Sequence, residues 1–99
     1  MTRAEAWLSH HPPGVGPEAT PLPFANLGQL VRDAARRFGE RKAETLVLPN
    51  GMQASLSFRE IDRLSDAFAA YLQHGLDLKS GTRVAILLPN CLAYPVCAF

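Results

Sequence analysis

The spacing of apolar residues predicts an amphipathic helix that begins at Leu27. Its apolar positions recur three or four residues apart and therefore share one helical face: Leu27, Leu30, Val31, Ala34, Ala35 and Phe38. Asn26 is a favourable N-cap, and Gln29 stands three residues later, as in a capping box. Gly39 is placed to end the helix in a left-handed turn.

A second stripe of the same period predicts a helix that begins after Ser57 and ends at Gly75. Its apolar members are Phe58, Ile61, Leu64, Phe68, Tyr71 and Leu72. Ser57 and Glu60 match the S-x-x-E capping box, which is a sequence signature of a helix N-terminus. His74 lies near the end of this helix, where a partly charged imidazole suits the helix dipole.

Turn residues between the two stripes predict a β-hairpin. Its strands are residues 44–48 and 52–56, and its turn is Pro49-Asn50-Gly51. Asn-Gly is the strongest short-range signal for a hairpin.

Residues 83–88, Arg-Val-Ala-Ile-Leu-Leu, are apolar at every position after the first. A strand that is apolar on both faces is typical of the centre of a covered, parallel sheet. Pro89 ends this strand, and Asn90 is predicted to cap a third helix that starts at Cys91. The order helix, β-hairpin, helix, buried strand and helix start predicts the α/β fold class.

The first 25 residues differ from the rest because prolines and glycines crowd them. Seven such residues fall between Pro12 and Pro23, which excludes a helix or a central strand there. Residues 1–25 are therefore predicted to form an extended Pro/Gly-rich leader, with Trp7 and Leu8 as its anchors. Residues 26–99 are predicted to be an incomplete part of a larger domain, since one buried strand needs neighbours on both edges. A complete small α/β domain with a frayed end is the alternative.

Composition excludes several classes of protein and selects no function. The 99 residues are 47% hydrophobic and 19% charged, which is ordinary for a globular protein. A net charge of +1 gives no support to nucleic-acid binding. We find no secretory signal peptide and no apolar run of the roughly 18–20 residues that span a membrane. A cytoplasmic location is the default expectation.

The histidines and cysteines offer little chemistry. His10 and His11 are adjacent, so their side chains point apart in an extended chain, and we interpret them as solvated loop residues. Cys91 and Cys97 are six residues apart on a predicted helix, where they face different directions and cannot form a disulfide. They match no zinc-site spacing either, and we interpret them as small buried apolar residues.

The charged residues are interpreted as solvated faces. Asp62 and Asp66 are one helical turn apart, with Arg59 and Arg63 interleaved, which is typical of a mixed-charge surface. A basic cluster at residues 36–42 suits the end of the first helix. The sequence contains neither a phosphate-binding G-x-x-x-x-G-K-[ST] loop nor a G-x-S-x-G elbow. We therefore predict no catalytic, cofactor-binding or metal-binding residue in this chain.

Several segments nevertheless resemble the adenylate-forming acyl-CoA ligases. Residues 56–61, Leu-Ser-Phe-Arg-Glu-Ile, are similar to the start of the second helix in that family. Residues 78–90 resemble its Leu-Lys-x-Gly-Asp-Arg-Val-Ala-x-x-x-Pro-Asn segment, with Thr82 where the family usually has Asp. Trp7-Leu8 with Pro12-Pro13-Gly14-Val15, residues 67–73, and Tyr94-Pro95-Val96 resemble the bacterial long-chain fatty acid–CoA ligases in particular.

The resemblance implies a fold, a reaction and its cofactors. It identifies residues 26–99 as an incomplete N-terminal part of an AMP-binding (acyl-CoA synthetase) domain. In this family a fatty carboxylate attacks the α-phosphate of ATP, and the CoA thiol then displaces AMP from the acyl-adenylate, with Mg²⁺ offsetting phosphate charge. ATP, Mg²⁺, CoA and fatty acid are therefore implied for a full-length enzyme, as is peripheral contact with the inner membrane.

The residues that carry this chemistry in the family match no position here. The resemblance thus implies that this piece supplies scaffold only, is inactive alone, and has the remainder of the ligase as its partner. Two alternatives stay open: a stand-alone interaction module, or part of another acid-activating enzyme, such as a short-chain acyl, aryl acid or amino-acid adenylating enzyme.

Overall fold

The computed structural model describes residues 6–16 and 21–99, and it confirms the α/β class and the helix–hairpin–helix order. Its helices and strands are α1 (Leu27–Phe38), β1 (Lys42–Val47), β2 (Gln53–Ser57), α2 (Phe58–Ala70) and α3 (Ala93–Ala98). A 3-10 helix (Ala6–His10) precedes them, and a π-helical turn (Tyr71–Gly75) continues α2.

Both ends of α1 are closed as the sequence predicts, with one difference. The Asn26 side chain accepts a hydrogen bond from the backbone N–H of Gln29 at 2.9 Å. The Gln29 side chain, however, accepts from the N–H of Ala25 at 3.0 Å, so the reciprocal bond skips the N-cap residue. Gly39 has a φ of 51°, and its N–H donates to Ala35, which ends the helix.

The hairpin is antiparallel, and its strands lie within two residues of their predicted bounds. Thr45 pairs with Ser55, and their hydroxyls are 2.8 Å apart. A register irregularity between Lys42 and Glu44 marks a bulge at the start of β1. Gly51 takes the positive φ of 84° that closes the three-residue turn, which is why Asn-Gly predicts this hairpin correctly.

The start of α2 is joined to the segment that follows α1. The N–H groups of Phe58 and Arg59 donate to the carbonyls of Arg41 and Gly39 at 3.2 and 3.1 Å, so two orphan helix donors are satisfied. Phe58 also packs on Phe38, with ring centroids 5.1 Å apart. Ile61 lies one turn further along and is 8% exposed, which puts it at the centre of a small core.

The end of α2 widens into the π-helical turn before the chain leaves the helix. The N–H of Leu76 donates to the carbonyl of Tyr71, five residues earlier, at 3.0 Å. A Cβ at Gly75 would come within 2.6 Å of the Tyr71 ring, so any other residue here would have to displace that ring. Gly75 therefore ends the helical stretch, as predicted.

The prediction of a buried strand at residues 83–88 is wrong. These residues, which we call the apolar segment, form no strand, and all six are exposed. The only strand ladder among the described residues joins β1 to β2. A strand exists only where a neighbour completes its ladder, and the described part of this chain supplies none.

The predicted start of the third helix is also wrong, because α3 begins at Ala93 rather than at Cys91. Leu92 is its N-cap residue, without a side-chain cap, and Asn90 caps nothing. A helix from Cys91 would need the N–H of residue 95 for a bond to the Cys91 carbonyl, and Pro95 has none. Pro95 instead lies in the first turn of α3, where helix N–H groups are unpaired anyway.

The leader is not wholly extended. Ala6–His10 is a 3-10 helix that the sequence analysis does not predict, and it stands before the first proline. The N–H of Val15 bonds to the carbonyl of Pro12, forming a turn. Residues 1–5 and 17–20 of the predicted leader, and the side chain of Leu8, lie outside the described structure.

Candidate functional site

An apolar cavity of about 300 Å³ lies among α1, β1, α2 and α3. Val31, Ile61, Pro95 and Phe99 contribute to its wall, and Glu44 is the only ionisable residue that lines it. Because a single carboxylate cannot both orient and activate a substrate, the cavity can accept an apolar group but offers no catalytic constellation.

A second cavity of about 290 Å³ lies between the end of α2 and the connection that follows it. Its polar lining comes from Gln73, Lys79, Ser80 and Thr82. The Lys79 ammonium already forms an ion pair with Asp77 on the same turn. The Lys79 charge at this cavity is therefore already engaged by a carboxylate of the same turn.

Glu60 is the described residue with a clearly perturbed acidity, and its role is structural. Its carboxylate accepts the N–H of Ser57 at 2.8 Å, while its own N–H donates to the Ser57 hydroxyl at 3.1 Å. The pKa of Glu60 is lowered first by the Ser57 backbone N–H, then by the Ser57 hydroxyl, which also interacts with the carboxylate, and the nearby Arg63 charge adds to the effect. One oxygen of the Glu60 carboxylate thus completes the predicted capping box.

The carboxylates of α2 do not form an acid–base pair. Asp66 is engaged by Arg32 of α1 at 3.2 Å, so it faces a neighbouring helix rather than Asp62. Arg59 pairs with Glu40 at 2.7 Å. All four of these paired side chains are more than half exposed, which agrees with the interpretation of Asp66 and Arg59 as solvated, whereas Asp62 is half-buried.

The basic cluster at the end of α1 is partly paired. Arg37 contacts Asp33 one turn earlier, with 2.7 Å between guanidinium and carboxylate, as an (i, i+4) pair. Arg36, Arg41 and Lys42 are exposed. The cluster thus remains a solvated helix end.

The two adjacent histidines differ in their surroundings. His10 is exposed, as predicted, but it ends the 3-10 helix rather than lying in a loop. His11 is half-buried and rests against Trp7, with ring centroids 4.7 Å apart. The solvated interpretation is therefore wrong for His11. Since only His11 packs on Trp7, the pair does not converge on one site.

The two cysteines are free and half-buried. Cys97 lies on α3 beside the apolar segment and Phe68, where it lines a shallow apolar pocket. Cys91 stands before α3 instead of on it. The interpretation of both as small buried apolar residues is therefore wrong as to burial, because each cysteine is only half-buried.

The described residues do not fit the cofactors that the sequence resemblance implies for a full-length enzyme. Across residues 6–16 and 21–99, no group of three or more His, Cys, Asp or Glu side chains converges to hold a metal ion. The larger cavity is lined almost wholly by carbon, which suits neither a triphosphate nor a divalent cation. We derive no reaction step from these residues.

In the described part of the chain, no helix combines the length and apolarity needed to cross a bilayer.

The chain matches a known protein family over most of its length. Residues 31–99 match the family described as AMP-binding enzyme. The match includes the whole helix–hairpin–helix unit after the first turn of α1, together with the apolar segment and α3.

Individual relatives extend the match into the leader. The chain is 40% identical over 95 residues to the long-chain-fatty-acid–CoA ligase of Salmonella typhimurium and 37% identical to that of Yersinia pestis. Each alignment covers 96% of this chain and 16% of the relative, so the chain spans about a sixth of the relatives' length. A salicyl-AMP ligase / salicyl-S-ArCP synthetase of Mycobacterium tuberculosis is 37% identical over 73 residues, or 74% of this chain and 13% of the relative. No solved structure matches significantly.

Proposed function

Because the chain belongs to the AMP-binding enzyme family, we propose that it forms part of the scaffold of a long-chain fatty acid–CoA ligase. The observation that carries the proposal is the alignment with long-chain-fatty-acid–CoA ligases, which runs through 96% of the chain. Alignment through leader, helices, hairpin and apolar segment together is more specific than any one motif.

The proposed enzyme activates a fatty acid in two steps. The fatty carboxylate attacks the α-phosphate of ATP, forming acyl-adenylate and releasing pyrophosphate. The CoA thiol then attacks the acyl carbonyl, forming the thioester and releasing AMP. Mg²⁺ supplies charge neutralisation at the phosphates when it is bound.

The described residues contribute to this enzyme by packing and not by chemistry. Ser57 and Glu60 fix the start of α2, and the Phe38–Phe58 contact fixes α2 against α1. Of the ionisable groups of α2, Glu60 is engaged in the cap, and Arg59 and Asp66 are engaged in surface ion pairs. We therefore propose that the chain is inactive by itself.

A long-chain acyl substrate is favoured over an aryl acid by the extent of the alignments. The long-chain ligases match over 95 residues, whereas the salicyl-AMP ligase matches over 73 at the same or slightly lower identity. The proposed location is the cytoplasm, with peripheral contact at the inner membrane. Long acyl chains partition into that membrane.

The test is a chimera in which this chain replaces its matched stretch in the Salmonella typhimurium ligase. We expect fatty-acid-dependent ATP–pyrophosphate exchange from the chimera and none from the 99-residue chain alone. The matched control replaces the same stretch with the corresponding stretch of the Mycobacterium tuberculosis salicyl-AMP ligase, which should support exchange poorly.

Two results would contradict the proposal. One is a chimera that folds but shows no exchange with long-chain acids while the parent ligase does. The other is exchange by the purified 99-residue chain, which would locate chemistry in residues to which we assign packing alone.

A further inference from the structure

The hairpin turn contains an asparagine whose side chain is held against the backbone that follows it. Residues 47–54, which include this turn, are all exposed. The N–H of Met52 donates to Oδ1 of Asn50 at 3.0 Å, so the bond spans Gly51. The ring closed by this bond contains both Cγ of Asn50 and the backbone nitrogen of Gly51. These are the two atoms that combine when an asparagine cyclises.

The surroundings of these two atoms favour the cyclisation. A Cβ built at Gly51 would meet nothing within 4 Å, so no neighbouring group blocks the approach of the nitrogen. The Met52 N–H lies at the oxygen on which negative charge develops when Cγ is attacked, and a donor placed there lowers the barrier. One contact opposes the reaction. The Gly51 N–H donates to the Leu48 carbonyl at 2.9 Å, and this bond must open before the nitrogen can turn towards Cγ.

We propose that Asn50 is a site of spontaneous deamidation, in which the backbone nitrogen of Gly51 attacks the side chain and the products are aspartate and isoaspartate. The inference goes beyond the proposed function and does not depend on it, because it uses the hairpin and water alone. The chain has three asparagines, and only Asn50 is followed by glycine.

The reaction balances with water as its co-reactant. Hydroxide takes the proton of the Gly51 N–H, and the nitrogen then forms a bond to Cγ of Asn50. The Cγ–Nδ2 bond breaks, its electron pair leaves with Nδ2, and a proton from water completes ammonia and regenerates hydroxide. Water next opens the cyclic imide. Addition at Cγ gives aspartate, and addition at the backbone carbonyl carbon of Asn50 gives isoaspartate, in which the main chain runs through Cγ.

Either product changes the chemistry of the hairpin. Residues 45–58 contain no charged side chain, so the new carboxylate places a charge in an uncharged stretch. It lies at the same end of the hairpin as Val47 and Met52, which are 58% and 60% exposed. Isoaspartate also adds a carbon to the main chain inside the turn that the bond from Leu48 N–H to the Met52 carbonyl closes at 2.8 Å. The turn must therefore rearrange to keep that bond.

The test incubates the purified 99-residue chain at mildly alkaline pH and follows each asparagine by peptide mapping with mass spectrometry. We expect the Asn50 peptide to gain the mass that replaces an amide by a carboxyl group, and to accept methyl groups from a methyltransferase specific for isoaspartate. Asn26 and Asn90 are internal controls, because a leucine and a cysteine follow them. They should convert about tenfold more slowly or less. An unchanged Asn50, or equal conversion of all three asparagines, overturns the proposal.

Matched glycine variants identify the nucleophile. Gly51→Ala puts a methyl group beside the attacking nitrogen and should slow the conversion of Asn50 by about tenfold, whether or not the hairpin of the variant folds. Gly81→Ala is the control, because Gly81 has a φ of 86° against 84° at Gly51 and equally open surroundings, but it follows a serine. Equal conversion of Asn50 in the two variants overturns the proposal.

A second pair of variants tests the hydrogen-bond donor. Met52→Pro removes the N–H that bonds to Oδ1 of Asn50, whereas Met52→Ala keeps it. In native buffer, Met52→Pro should convert about threefold more slowly than Met52→Ala, since water replaces part of the lost donor at this exposed turn. In concentrated guanidinium chloride, where the hairpin is unfolded, the two should convert equally. Any other pattern overturns the assisting role of the Met52 N–H, while the glycine pair still decides the site.

Discussion

Residues 26–70, which we call the capped unit, and the apolar segment differ in how completely their polar and apolar groups are satisfied. In the capped unit, both helices have capped N-termini, the hairpin is paired, and Ile61 is buried. In the apolar segment, the backbone is unpaired and Leu87 is almost wholly exposed. The two regions lie in one chain, and α3 touches both of them.

The comparison shows which interactions a short stretch of chain can complete by itself. The capping bonds of the capped unit join residues close in sequence, as in the three-residue reach from Ser57 to Glu60. Its longer-range contacts, such as that between Arg32 and Asp66, still have both partners within the unit. An interior strand instead needs two neighbours that α/β topology places far away along the chain. Apolar character alone therefore does not make the segment a strand.

Truncation of one apolar side chain in each region should give the largest difference in the free energy of unfolding. Ile61→Ala is expected to lower the free energy of unfolding by about 2–4 kcal/mol, because it leaves a cavity in the small core. Leu87→Ala should change it by less than about 0.5 kcal/mol, since that side chain is already in water. Urea denaturation followed by circular dichroism measures both variants, and equal losses would show that the apolar segment is packed in the isolated chain.

Removal of the capping hydroxyl should have an intermediate effect. Ser57→Ala is expected to cost about 1 kcal/mol, because it leaves the N–H of Glu60 without its partner. Ser80→Ala provides the control, at an exposed serine in the turn before the apolar segment. If the two variants melt at the same urea concentration, the cap contributes nothing and the contrast between the regions rests on burial alone.

Acid should remove the smaller contribution to stability that the Glu60 carboxylate makes in the same cap. The pKa of Glu60 is lowered from 4.5 in the folded chain, so its stabilising contribution is complete above pH 4.5 and is lost as the pH falls towards the lowered value. Glu60→Gln keeps a neutral acceptor and should lose this component of the pH dependence. The urea midpoint measured across the acid range tests this, with the non-ionisable change Ser80→Ala as the control that keeps the slope.

Much of the capped unit could be predicted because its signals act over a few residues. Asn26, Ser57 and the Asn50-Gly51 turn each specify a geometry that neighbouring backbone completes, and all three are confirmed. The misassigned reciprocal bond of Gln29, which reaches Ala25, is a difference of one residue in the same local motif. The pairing of Arg32 with Asp66 joins separate helices, so no sequence spacing could indicate it.

The errors have different physical origins. The strand at residues 83–88 is predicted from an unbroken apolar run. Such a run indicates that a segment suits the interior of a sheet, but it does not supply the neighbouring strands that a sheet requires. The start of α3 could have been predicted correctly, because Pro95 cannot supply the N–H that a helix from Cys91 requires. The 3-10 helix at Ala6–His10 lacks a periodic pattern long enough to detect.

Less of the candidate site than of the fold could be predicted from the sequence. The cavity among α1, β1, α2 and α3 depends on how four elements approach one another, which no motif encodes. The absence of catalytic residues from the chain stays a prediction that the exchange assay addresses. His11 was misjudged because the Trp7 ring, four residues earlier, covers it once the 3-10 helix forms.

The unpaired backbone of the apolar segment also affects how the protein folds while it is being synthesised. The contacts of the capped unit lie within residues 26–70 and can form before the apolar segment has left the ribosome. The apolar segment emerges afterwards with an unpaired backbone and an exposed Leu87, so it is the stretch through which newly made chains are expected to aggregate. Chaperones that bind exposed apolar segments are therefore expected to act on this segment rather than on the capped unit.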